Sequence, residues 1–204
     1  MNLNRDQLDL LSEYINVGMG QAATILNGML GSPIRLNVPT VAVLSANEAS
    51  RHLKEMGAGN LSAVNMKFSG NFKGSVGLMF PSSSAAALLR LLSLNQNTEP
   101  ESDMDAMKSG ALTEIGNILL NSVMGNIVNL MKTRLDFFIP SYSEDNADKI
   151  IQLITGTGDS VHLIMAHTTF MVESGSVEGC VVIVFEISFI PKLIEALDAI
   201  LQSL

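Results

Sequence analysis

Two kinds of apolar rhythm alternate along the chain. Over residues 5–30, Leu8, Leu11, Ile15, Ala22, Ile25 and Leu26 recur at three- and four-residue steps, the spacing of one helical face. Asn4 suits the cap of this helix and Asp6 its first turn. Gly28, Gly31 and Pro33 supply stop signals. Gly18 and Gly20 weaken a helix interior and are read as points where another backbone comes close. Residues 34–44 then alternate as a strand does. Pro39 has no N–H to give a ladder, so it is expected at an edge or a bulge. A short helix is predicted over 47–56 and a loop over 57–60. Strands over 61–68 and 72–80, joined through Ser69-Gly70-Asn71, form a tight hairpin. A compact apolar helix follows over 85–94.

Residues 95–105 hold Pro100, acidic residues and no periodicity, and read as a linker. Then the order resumes. A helix over 107–132 carries Leu112, Ile115, Leu119, Val123 and Ile127 on one face. A Pro-containing strand is predicted over 135–142, and further strands over 150–155 and 161–169, the latter extended by Met171 and Val172. A strand over 180–187 and a helix over 191–204, with Pro191 in its first turn, close the chain. Each half reads helix, strand, hairpin, helix, which favours an α+β fold with largely antiparallel strands.

A polar pattern repeats with the apolar one. Glu13, Asn16 and Pro39 recur as Glu114, Asn117 and Pro140, an offset of 101 for all three. Further on, residues 74–80 match residues 179–185 at an offset of 105, so a small insertion separates the halves. A repeat of this kind implies a duplicated fold unit with approximate symmetry. One domain built of two repeats, about 1–94 and 106–204, is expected.

Composition narrows the function more than the fold. Of 204 residues, 47% are hydrophobic, enough for a substantial core. Trp is absent, and the 12 Met are read as adaptable core filling rather than as a binding groove. A net charge of −8 without a basic cluster argues against nucleic acid and anionic membrane surfaces. The single Cys180 excludes an internal disulfide framework, and its strand-like surroundings suggest an inert core thiol. The first residues lack the basic and apolar regions of a signal peptide, and no apolar run reaches membrane-span length, so a cytoplasmic protein without membrane insertion is expected. His162 and His167 lie five apart in a predicted strand and face opposite sides, and His52 stands alone, so no metal site is expected. Residues 156–159 read as a turn rather than a phosphate loop. No Ser/His/Asp nucleophilic constellation is apparent.

The repeated polar residues carry the chemistry. An α-helix advances about 100° per residue, so Asp9, Glu13 and Asn16 fall within a stripe about 60° wide. Leu8, Leu11 and Ile15 point largely elsewhere. In the second copy Gly110, Glu114 and Asn117 hold the equivalent places, and Asn121 lies one turn further on the same side. A polar stripe usually marks only a solvated face. Asn is a mediocre helix former, however, and solvation gives no reason to place it there twice. A carboxylate can pair with a Lys, and a carboxamide can hold a water in a chosen orientation. Phosphoryl transfer can use both, because it depends on positioning and electrostatics rather than on a protein nucleophile.

The pattern Asp9-x3-Glu13-x2-Asn16-x22-Pro39 and its second copy resemble the signature of the CheC/CheX/FliY family of chemotaxis phosphatases. The similarity extends over nearly the whole chain, and the two motif copies make it most like the CheC-type members. The resemblance implies a pseudo-twofold molecule with long helices over a central sheet. It also implies hydrolysis of the aspartyl phosphate on the response regulator CheY. Asn16 and Asn117 would orient the attacking water, Glu13 and Glu114 would pair with the regulator's active-site Lys, and Asp9 would add a docking contact. No cofactor would be bound by this chain, and Mg2+ would belong to the regulator's acidic pocket. The deamidase CheD is a further implied partner of some CheC-like proteins. The second copy departs from the pattern at Gly110, where Asp or Ser is expected, and Ser109 lies about 100° off the stripe. Weaker docking is expected there. The alternative is a non-catalytic interaction module of the same fold, either of the kind in flagellar switch proteins or an adaptor that mainly binds CheD.

Overall fold

The computed structural model describes residues 3–30, 33–56, 59–93, 104–156, 162–172, 175–185 and 190–203. Most of the expected linker, residues 157–159 of the expected turn and the side chain of Cys180 lie outside the described residues. The elements are α1 (Arg5–Leu30), β1 (Ile34–Ser45), α2 (Ala46–Met56), β2 (Leu61–Gly70), β3 (Gly74–Pro81) and α3 (Ser82–Ser93). They continue as α4 (Met104–Leu130), β4 (Leu135–Phe137), β5 (Ser141–Asp145), α5 (Ala147–Thr155), β6 (His162–Val172), β7 (Gly175–Phe185) and α6 (Ile190–Leu201).

The strands form one sheet in the order β1-β6-β7-β3-β2-β4, with β5 also on β2. All of its described pairings are antiparallel. The two central strands, β3 and β7, come one from each half. Their register pairs Gly77 with Val182, Val76 with Ile183 and Leu78 with Val181. Val182 is also the residue 105 positions after Gly77, the offset of the repeat in the sequence. The approximate twofold axis therefore passes through the Gly77–Val182 pair.

Both faces of the sheet are covered, which accounts for the long apolar runs in its strands. Leu61, Ala63, Leu163 and Met165 pack with Leu53 of α2 and with Ile150, Ile151 and Ile154 of α5. On the opposite face Val64, Met66, Phe68, Ile164, Ala166 and Phe170 meet α1, α3, α4 and α6 through Leu11, Ile15, Leu88, Leu119, Val123 and Leu193. The period-two alternation of β2 and β6 assigns each residue to its layer.

Two expectations are corrected. Residues 150–155 belong to α5, not to a strand. Asn146 caps this helix by accepting from the Lys149 N–H at 3.1 Å, and Gly156 ends it at φ 72°. Ile150, Ile151 and Ile154 form a buried helical stripe, so their spacing outweighs the β-branched composition. The strand expected over 135–142 is broken between β4 and β5. The Phe138 N–H donates to the Lys67 carbonyl at 2.9 Å. Ile139 is 92% exposed, and Pro140 has no N–H to continue the ladder.

Pro39 does lie at a bulge in an edge strand. Asn37 pairs with Thr169 and Thr40 with His167, so Val38 and Pro39 oppose one residue of β6. The close approach read from Gly18 is also present. A Cβ at Gly18 would lie 2.7 Å from Val123 Cα and 2.8 Å from the Ser122 carbonyl oxygen, so α1 presses on the backbone of α4 there. Gly20 has open space instead. Among the described residues no helix is long and apolar enough to cross a membrane.

Candidate functional site

Each long helix presents its polar stripe from a well-anchored position. At the start of α1, the Gln7 N–H donates to Asn4 Oδ1 and the Asn4 N–H to Gln7 Oε1, both at 2.9 Å, a reciprocal cap. Gln7 Nε2 then donates to Asp198 of α6 at 2.7 Å. Leu11 and Ile15 are fully buried, which turns Asp9 and Glu13 to solvent and leaves Asn16 half-buried. Asp9 lies 3.9 Å from Arg5 in an exposed pair, an arrangement worth little to stability.

The Asn16 carboxamide is not free. Its Oδ1 accepts from the Val38 N–H at 3.0 Å, and its Nδ2 donates to the Val38 carbonyl at 3.3 Å. Val38 is one of the two bulge residues of β1. The bulge takes its N–H and C=O out of the ladder, and Asn16 stands in for the missing strand partner. Val38 itself is buried at 2% exposure.

The second copy is arranged differently. Glu114 is exposed and Asn117 half-buried. Asn117 accepts at Oδ1 from Asn121 Nδ2 at 2.7 Å, and the same Nδ2 donates to the Asn117 backbone carbonyl at 2.8 Å. Ile139, the counterpart of Val38 at the 101 offset, is turned outward beside Phe138, which is 57% exposed. A Cβ at Gly110 would meet nothing within 4 Å, so the place of Asp9 is open here.

Packing sets the height of α4 on the sheet. Lys108 is paired with Glu144 of β5, and Gly116 rests on Val64, the β2 partner of Tyr142.

Lys108 belongs to a cluster that nothing in the sequence spacing signals. Its ammonium and the Tyr142 hydroxyl both donate to the Glu144 carboxylate, and Ser62 lies 3.2 Å from the Tyr142 oxygen. The hydrogen bond from Lys108, then that from Tyr142, holds the Glu144 carboxyl below its usual range. The same carboxylate raises Lys108. Burial, then the bond to Glu144, raises Tyr142.

Among the described residues Glu13 and Glu114 have no hydrogen-bond or ion-pair partner, so both carboxylates are available to another molecule. No group of three or more His, Cys, Asp or Glu is placed to hold a metal among those residues. His52, isolated in the sequence, packs edge-on to His167 with ring centroids 6.5 Å apart. Chemically, the arrangement offers two exposed carboxylates, each one helical turn from a carboxamide.

No family model matches the chain. The CheY-P phosphatase CheC of Bacillus subtilis (strain 168) is 27% identical over 177 residues, covering 84% of this chain and 83% of that protein. FliY of Thermotoga maritima has the same fold, with a TM-score of 0.77 over 98% of this chain and 99% of its own, at 19% identity. FliM in the FliG–FliM complex from H. pylori superposes with a TM-score of 0.66 over 95% of this chain and 100% of its own, at 10% identity.

Proposed function

We propose, from the premise that this chain is a relative of the CheC/CheX/FliY family in sequence and fold, that it hydrolyses the aspartyl phosphate of CheY or a CheY-like receiver. The observation that carries the reading is the pairing of exposed Glu with Asn on both long helices, in a chain 27% identical to a CheY-P phosphatase. Glu13 or Glu114 pairs with the receiver's active-site Lys and fixes the docked pose. Asn16 or Asn117 orients a water in line with the aspartyl phosphate. The water oxygen bonds to phosphorus as the bond to the aspartyl oxygen breaks. The receiver's carboxylate and inorganic phosphate leave, with the water's proton on the phosphate. Positioning supplies most of the acceleration in such a reaction. Mg2+ belongs to the receiver's acidic pocket, and this chain offers it no ligands in the proposal.

The two helices should contribute unequally. Asp9 favours docking at α1, and Gly110 offers no such contact at α4. Against this, Val38 takes up one N–H and one lone pair of the Asn16 amide, whereas Asn117 keeps both N–H of its Nδ2 unbonded among the described residues. The α1 site therefore binds more tightly and the α4 site turns over faster.

The test is the decay of phosphorylated CheY with the wild type, Asn16→Ala, Asn117→Ala and the double variant, each checked for folding. The double variant should return decay to the spontaneous rate, and Asn117→Ala should lower kcat more than Asn16→Ala does. Full activity in the double variant would refute the residue assignment, and an inert wild type would refute the phosphatase reading. A second reading, a non-catalytic interaction module of the flagellar-switch kind, draws on the fold likeness to FliM. It predicts binding to a partner without any change in phosphate decay.

A further inference from the structure

We propose that Asn121 is a positioning residue that sets the orientation of the Asn117 carboxamide; this rests on the phosphatase reading above. A backbone carbonyl can only accept a hydrogen bond, so the bond to the Asn117 carbonyl at 2.8 Å requires Asn121 to turn its Nδ2 inward. That same Nδ2 lies 2.7 Å from the Asn117 side chain, which must then present its oxygen. The two bonds remove the end-for-end ambiguity of the Asn117 amide. Oδ1 keeps one lone pair, and Nδ2 is a donor without a partner among the described residues, one helical turn from the exposed Glu114. A water or a phosphoryl oxygen arriving at this face meets a donor and an acceptor already in place, without the cost of ordering them.

The other half of the molecule supports the assignment. The residue 101 positions before Asn121 is Gly20, and a Cβ there would meet nothing within 4 Å. With no side chain at that place, Asn16 is held by Val38 instead, which takes up one N–H and one lone pair of its amide. Each half thus fixes its amide with a different partner, and only the Asn121 arrangement leaves both N–H of the donor end unbonded among the described residues. An ordinary alternative exists, since Asn often bonds back to the carbonyl four residues earlier in a helix. That role would affect helix stability alone. A positioning role affects turnover.

The experiment measures receiver dephosphorylation in a Glu13→Arg background, which disables docking at α1 through an exposed residue. Asn121→Leu keeps the approximate shape and removes the donor. It should lower kcat by about fivefold to tenfold, leave KM within about twofold and leave the melting temperature unchanged. Asn121→Gln, which restores an amide on a longer arm, should recover part of the loss. Unchanged kcat in Asn121→Leu, while Asn117→Ala is inactive in the same background, overturns the inference and leaves the phosphatase reading standing. Full activity of Asn117→Ala in this background overturns the site assignment and the inference with it.

Discussion

Asn16 and Glu13 are one helical turn apart and do different work. The carboxylate of Glu13 has no hydrogen-bond or ion-pair partner among the described residues, whereas the Asn16 amide completes the hydrogen bonding of a buried bulge. Removing the amide leaves the Val38 N–H and carbonyl without a partner, and such groups are costly to leave unpaired. Asn16→Ala should therefore destabilise the protein by about 1–2 kcal/mol, and Glu13→Ala by less than about 0.5 kcal/mol, as read from urea midpoints. Asn16→Asp, which can still accept from the Val38 N–H, should fall between them. Equal stability of all three with the wild type would show that the Val38 bonds contribute nothing. Phosphate-decay rates of Asn16 variants thus report fold and chemistry together, whereas those of Asn117 variants report chemistry more directly.

At the scale of elements, the crossing of α1 and α4 decides how the two polar stripes are presented. The helices meet at Gly18, where a methyl group would strike the backbone of Val123 and Ser122. Backbone cannot rotate aside as a side chain can, so the helices must separate. Gly18→Ala is expected to cost about 1–3 kcal/mol, although alanine is the better helix former. Gly20→Ala, two residues on in open space, should gain up to about 1 kcal/mol. Thermal melts of the two variants check this opposition, and stabilisation by both would remove the close-packing account. The sequence marked both glycines alike, because propensity registers only that a helix is weakened. Which glycine faces another backbone depends on the rotation of α1 about its axis, which the packed core sets. Residues 150–155 teach the converse. Their isoleucines suit a strand by composition, but a capped start and a three-residue stripe make them α5.

Over the whole molecule, the two halves share a sheet but not their polar ties. Lys108, Tyr142 and Glu144 join α4 to the β5 edge. The places 101 residues earlier are Gln7, Val41 and Val43, so no such cluster can form there. Because folding lowers the Glu144 carboxyl below its ordinary value of 4.5, the stability it contributes is complete above that pH. It is lost as the pH falls through the lowered native value. Lys108 acts at the other end. Its contribution holds below the ordinary 10.5 and is lost as the pH rises through its raised native value. In melts between pH 7 and 3, the advantage of the wild type over Glu144→Gln should shrink with acidification. A gap that stays constant with pH would argue against this linkage.

Periodicity and the repeated Glu, Asn and Pro determined the duplication, most of the elements and the two stripes, because these follow from local spacing along one chain. The 105-residue offset even matches the axis of the sheet, since antiparallel pairing about Gly77 and Val182 satisfies both copies at once. The tertiary structure alone decided what each Asn bonds to. Asn16 meets a residue 22 positions away only because β1 bulges beneath α1. In the second copy the strand breaks at Pro140 and Ile139 is turned outward, and Asn117 bonds to Asn121. The Asn shared by both motifs thus acquires different partners because hydrogen bonding is settled by what packing brings within about 3 Å, and the two copies are packed against different neighbours.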